Sequence, residues 1–151
     1  MIKIICVGKI KEKFFIDAIL EYQKRMSKYT KLEIIEVPDY GSENASINMQ
    51  YEMEKIKKHL KSKDYVITLE IEGKEYSSQE FATHLEKIEM QNSNLVFIIG
   101  GSDGISEEIK KLRKEAISFS KLTFPHQLFR IFLLEQIYRA YKIRNHESYH
   151  K

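Results

Sequence analysis

Short unbroken apolar runs alternate along this chain with stretches in which apolar residues recur every three or four positions. The run Ile2 to Val7, stopped by Gly8, is rich in β-branched residues and predicts a buried strand. From about Glu12 to Lys28, Phe15, Ala18, Ile19, Tyr22 and Met26 recur at helical spacing. Leu32 to Val37 predicts a second strand, ended by Pro38, and Asp39 to Ser46 carries turn formers without an apolar period. Ile47 to Leu60 is weakly amphipathic, with Met49, Met53, Ile56 and Leu60 on one face and lysines at its end, which suits a helix C-terminus. Tyr65 to Ile71 predicts the third strand, with Gly73 turning the chain. Ser77 and Glu80 form a capping box ahead of a helix with Phe81, Leu85 and Ile88 inward.

Leu95 to Ile99 is the fourth predicted strand. Ser106 with Glu107 and Glu108 opens another helix, Ala116 to Ser120 is a short fifth strand, and His126 to Arg144 is a long helix. Strands alternating with helices, several of them apolar throughout, predict an α/β fold: a parallel sheet flanked by helices on both faces. In such sheets ligands bind beyond the carboxyl ends of the strands, here near Leu69 to Glu72, Gly100 to Gly104 and Ser120 to Pro125.

With 151 residues and no polar linker, a single domain over 1–151 is expected. No apolar run approaches the ~20 residues of a membrane span, and no charged-then-apolar leader precedes the first strand, so a cytoplasmic protein is expected. The lone Cys6 lies inside the first strand and reads as a small buried hydrophobe; it supports neither a disulfide nor a cysteine metal cluster, and no metal is expected. Net charge is +3, unevenly spread. Residues 1–120 hold 19 Lys and Arg against 20 Asp and Glu, whereas residues 121–151 hold 6 against 2. A positive field at the C-terminal segment suits either phosphate backbones or plain solvation.

Gly100-Gly101-Ser102-Asp103-Gly104 sits between a strand and a helix, where its glycines let the backbone pass close to a ligand. Its spacing is that of neither a Rossmann fingerprint nor a P-loop. Phe119 to Pro125 joins strand to helix with small polar and aromatic residues and no glycine. Leu122 and Phe124 can wall an apolar slot there, or the loop can simply cap the core. The final helix is apolar around most of its circumference, which predicts a second partner, either another copy across a two-fold axis or the rest of this chain. Glu135 and Arg139, four residues apart, suit an ion pair. His126 suits a capping or loop position. Tyr149 and His150, in a tail that would otherwise read as frayed, can exchange protons.

Val7-Gly8-Lys9, Thr68-Leu69-Glu70, the Ile98 to Gly104 loop, Phe119 to Gln127, Glu135-Gln136-x-Tyr138-Arg139-Ala140 and the closing Tyr149-His150-Lys151 together resemble the bacterial RlmH family. These are the ribosomal RNA large-subunit methyltransferases H, of the SPOUT class. The resemblance runs from the first strand to the last residue and is weakest over Asp39 to Lys63. It implies a sheet whose C-terminal part is tied in a deep trefoil knot, a homodimer through the C-terminal helix, and S-adenosyl-L-methionine as methyl donor. The implied substrate is N3 of a pseudouridine in 23S ribosomal RNA within the assembled ribosome. It implies cofactor contacts at Leu69, Gly100, Phe119, Ser120, Lys121, Leu122, Thr123 and Phe124. The expected proton acceptor is His150, or Glu135 in its place, with Tyr149 and Arg139 positioning the base. An RNA-binding module without activity and a phosphate-binding α/β domain are the competing readings.

Overall fold

A computed structural model describes Met1 to Lys151. Five strands alternate with five helices: β1 (Ile2–Val7), α1 (Lys13–Met26), β2 (Leu32–Val37), α2 (Ala45–Lys57), β3 (Tyr65–Glu75), α3 (Ser78–Gln91), β4 (Leu95–Ile99), α4 (Glu107–Leu112), β5 (Glu115–Ser118) and α5 (His126–Arg144). All pairings are parallel, in the order β2-β1-β4-β3-β5. The α/β architecture expected from the hydrophobic pattern is therefore the observed one.

Strand alternation divides the core between the two faces. Ile2, Ile4, Cys6, Ile67, Leu95, Phe97 and Ile99 point to the face covered by α1, α3 and α5, while Ile5, Val7, Val66, Val96 and Ile98 point to the face covered by α2 and α4. Cys6 is buried as expected, and that burial pushes its thiol up to about 12, so it is not a nucleophile. The Ser77–Glu80 capping box forms with both of its hydrogen bonds. The start of α2 differs from the sequence expectation: Asn44 caps it through Ile47 N–H at 3.1 Å, placing Ala45 and Ser46 in the first turn.

β3 also differs: expected to end at Ile71 with Gly73 turning the chain, it runs through Gly73 to Glu75. Its ladder with β5 breaks after Leu69 and resumes at Lys74, so that Glu70 to Gly73 bulge out of register. A Cβ on Gly73 would lie 2.6 Å from the Ile117 carbonyl carbon. The glycine is needed for that close approach of two backbones.

Helix α5 follows the edge strand β5, yet it packs on α3 and α1. The chain leaving β5 therefore crosses the carboxyl ends of the sheet before the helix begins. Leu133, Leu134, Ile137, Tyr138, Ala140 and Tyr141 are all buried. Most of the helix's apolar circumference is thus covered within one chain, and Leu128, Ile131 and Phe132 remain half-buried. Arg130, 3% exposed, is tied by Nη1 to Glu36 at 2.6 Å and by Nη2 to the Gly8 carbonyl at 3.3 Å. Burial raises the Glu36 carboxyl, but hydrogen bonds from Arg130 and from Ile10 N–H outweigh it and hold the group below its usual range.

Candidate active site

The carboxyl ends of β3, β4 and β5 converge on a cavity of about 550 Å³. The bulged Glu70 to Glu72 form one wall and the glycine loop forms the second. The loop after β5 forms the third. The glycine loop folds back on itself through Gly104 N–H to the Gly101 carbonyl at 3.0 Å. A Cβ on Gly100 would meet Ile105 Cγ1 at 2.8 Å and the Gly104 oxygen at 2.9 Å, so this turn has room only for glycine.

The helix after the loop does not serve as an anion site. Helix α4 has only 6 residues, Ser106 already caps it through Ile109 N–H at 3.3 Å, and Glu107 and Glu108 occupy its first turn. That counts against a bound phosphate and so against the phosphate-binding reading. From behind, α2 buttresses the loop: Asn48 Nδ2 donates to Asp103 Oδ2 at 2.9 Å, and Glu52 Oε1 lies 3.0 Å from where a Gly101 Cβ would be. Burial and the neighbouring Asp103 push the Glu52 carboxyl up. These contacts give a role to the Asp39–Lys63 stretch, which the sequence left open.

The third wall is shaped by aromatic contacts. Phe119 packs on Phe81 and Phe129, with ring centroids 6.0 and 5.3 Å away, and Phe124 lies edge-on to Phe132 at 5.2 Å. Between those anchors Ser120 Oγ accepts from Leu122 N–H at 3.0 Å, turning the chain. Leu69, Gly100, Phe119, Ser120, Leu122, Thr123 and Phe124 all line the cavity; Lys121 does not, and Leu122 stands 70% exposed at the loop tip. His126 lines it too. Burial and then the Arg130 charge push its imidazole below the ordinary value, so it is neutral near physiological pH.

A smaller cavity of about 280 Å³ adjoins the first, sharing Ile117 to Ser120 and Phe124, and reaches Glu135 and Gln136. At Glu135 the other expected residues meet. Tyr149 donates to Oε2 at 2.5 Å and Arg139 Nε to Oε1 at 2.8 Å; Tyr22 is a longer donor at 3.4 Å. Arg139 Nη1 lies 3.1 Å from His150 Nδ1, and its guanidinium covers the Tyr149 ring at 4.6 Å. An arginine only donates, so this contact requires a lone pair on Nδ1 and places the proton of neutral His150 on Nε2. Burial and the bond to Glu135 push the Tyr149 phenol up to about 12, keeping it a donor.

The tail reaches this position because His146, with φ of 53°, reverses the chain after α5. Glu147 then accepts from Tyr29 at 2.7 Å, Lys142 at 3.1 Å and Lys28 at 3.2 Å. Nothing in the sequence links Glu147 to Tyr29, so far apart, and Tyr22 is expected there only as part of the apolar face of the first helix.

The C-terminal excess of positive charge does not make the free basic patch that the count suggested. Arg130, Arg139, Lys142 and Arg144 pair with Glu36, Glu135, Glu147 and Glu89. Within this segment Lys121 and Lys151 are exposed without ion pairs, and other exposed, unpaired lysines are spread over the rest of the chain, among them Lys9 and Lys11 in the loop that Arg130 holds through Gly8. No group of three or more His, Cys, Asp or Glu side chains is arranged to hold a metal, and no helix is long and apolar enough to cross a membrane.

Comparison with known proteins agrees with this architecture. A family described as predicted SPOUT methyltransferase matches residues 1–150. A Clostridium botulinum protein named ribosomal RNA large subunit methyltransferase H is 52% identical, covering 99% of both chains. Namesakes from Streptococcus uberis, at 49% over 99% of both chains, and from Caldicellulosiruptor saccharolyticus, at 48% over the whole of both, are similar to the same extent. With likeness at that level from end to end, the chain belongs to the RlmH family of SPOUT methyltransferases.

Proposed function

We propose that this protein transfers the methyl group of S-adenosyl-L-methionine to N3 of a pseudouridine in 23S ribosomal RNA, acting on the assembled ribosome in the cytoplasm. The observation that carries this reading is the adjacency of the two cavities. The larger is walled by glycine and aromatic turns, and it shares Ile117 to Ser120 and Phe124 with the smaller, which reaches Glu135, the residue that Arg139 and Tyr149 bond, with His150 against Arg139. Its volume falls within the roughly 300–1,000 Å³ of small-molecule sites. A nucleoside with a charged, phosphate-free tail suits walls of backbone edges, phenylalanines, Glu70 and Lys110 beside a helix terminus closed to anions.

Leu69, Gly100 and the Phe119–Phe124 loop hold that cofactor, which supplies a methyl already activated by its sulfonium. The protein's own work is to align the acceptor and take its proton. In the arrangement described, Arg139 occupies the only lone pair on neutral His150. Arg139 turning to a carbonyl of the incoming base would both position that base and free Nδ1 to accept the N3 proton. Tyr149, fixed by Glu135, flanks the base, and Glu135 is the acceptor in the second version of this step.

Two copies pair through α5, whose Leu128, Ile131 and Phe132 are left half-buried; α1 also leaves Phe14, Ile16 and Leu20 exposed. Threading of the C-terminal third into a trefoil knot fits the crossing from edge strand β5 to a helix lying between α1 and α3. Removing Ser148 to Lys151 tests the assignment. Methylation of ribosomes, read by mass spectrometry of the 23S fragment, should fall on the order of 10²-fold, while calorimetric binding of S-adenosyl-L-methionine persists. Unchanged methylation by a folded truncated protein would remove the tail from the mechanism.

A further inference from the structure

Glu70 lies where the β3–β5 ladder breaks and lines the larger cavity, as does Lys110 of α4. Bulges beside sites commonly re-aim a side chain. Glu70 is fixed from one side: Thr68 Oγ1 donates to its Oε2 at 2.5 Å, and Arg113 Nε lies 3.5 Å from that oxygen. The other oxygen, Oε1, faces the Lys110 ammonium at 3.6 Å, and Lys110 stands equally far from Glu107. At that separation the charges attract, but neither group has used up its hydrogen-bonding capacity on the other. The side chains are 17% and 33% exposed. A carboxylate and an ammonium held side by side on a cavity wall are the mirror image of an α-amino acid zwitterion, which carries its own ammonium and carboxylate on one carbon.

We infer that Glu70 and Lys110 form the subsite for the amino acid end of the cofactor, Glu70 receiving the α-ammonium and Lys110 the α-carboxylate. The pair then selects the complete methyl donor over nucleosides that lack the amino acid. This inference rests on the S-adenosyl-L-methionine reading above and adds recognition residues to it. The glycine loop and the Phe119–Phe124 turn hold the nucleoside, and the charged pair holds the remainder.

Titration of the full-length protein with S-adenosyl-L-methionine and with 5′-methylthioadenosine, which has the same nucleoside and sulfur but no amino acid, separates the two contributions. Glu70→Gln and Lys110→Met should each weaken binding of the full cofactor about tenfold, equivalent to about 1.4 kcal/mol, and leave 5′-methylthioadenosine unaffected. Lys110→Met keeps the test available should Glu70→Gln lose its fold with the Thr68 and Arg113 contacts. Equal weakening of both ligands would assign Glu70 to the ribose and overturn the subsite. Undiminished cofactor binding in Lys110→Met would overturn it as well. If the unaltered protein bound neither compound, the proposed function would fall and this inference with it, an outcome distinct from a failure of the variants alone.

Discussion

The larger cavity takes its walls from strand ends and backbone turns of β3, β4 and β5, whereas the Glu135 cluster is held by side chains, two of them beyond the His146 turn. The backbone part of this wall, as distinct from the aromatic anchors of the Phe119–Phe124 turn, tolerates the loss of a side chain, since the wall is still there. It does not tolerate an added Cβ where two backbones nearly touch. A side-chain cluster behaves in the opposite way: its framework accepts substitution, but each lost partner leaves a polar or charged group without compensation. If the proposed assignment holds, binding of the methyl donor and transfer of the methyl depend on different kinds of residue, and the two should be separable by mutation.

The largest effect is expected at Gly73. A Cβ there meets only backbone, at 2.6 Å from the Ile117 carbonyl carbon and 2.7 Å from Ala116 C and Ile117 N, so no side-chain rotation relieves it. Gly73→Ala should cost about 3 kcal/mol or more in urea unfolding and abolish cofactor binding together with stability. A stable variant that bound cofactor normally would show that the cavity wall is softer than this packing implies.

Glu135→Gln probes the other half. The amide keeps the shape but not the charge, so Arg139, with a side chain 24% exposed, loses its counter-ion and Tyr149 its strong acceptor. Methyl transfer should drop on the order of 10²-fold, with global stability lower by about 1–2 kcal/mol and cofactor affinity unchanged. Parallel loss of affinity and transfer would mean that the two regions act as one unit.

The same contrast governs what could be read from the sequence. The strand runs Ile2–Val7, Leu32–Val37 and Leu95–Ile99 and the helix His126–Arg144 are observed with the bounds expected, because continuous apolar runs and helical periodicity are local signals. The strand-end turns were visible as candidates for the same reason. The extension of β3 past Gly73 was not, because its cause is the passage of β5 more than 40 residues later in the chain. Summed charge does not tell which cations are free, since a sum is blind to whether Arg130 faces Glu36 or solvent. Nothing near Glu147 announces that Tyr29 will meet it 118 positions away and turn an apparently frayed tail into a docked one.

That docking supplies the mildest test. The Tyr29 hydrogen bond, followed by that of Lys142 and, against partial burial, that of Lys28, lowers the Glu147 carboxyl from its ordinary 4.5 to about 2. A carboxyl lowered on folding contributes its stabilisation in full above the unfolded value and loses it as pH falls toward the folded one. Tail docking should therefore be constant through neutral pH and weaken from about 4.5 down to about 2. Glu147→Gln should reproduce part of that loss at neutral pH: faster release of Lys151 and His150 by carboxypeptidase, and methyl transfer reduced roughly three- to tenfold, as for the loss of one hydrogen-bonding partner. The unfolding midpoint should fall slightly as that stabilisation is lost, while cofactor affinity should stay where it is, because the cavity walls lie on the strand ends and not on the tail. If Glu147→Gln weakened cofactor binding as much as transfer, the tail would have to be counted among those walls.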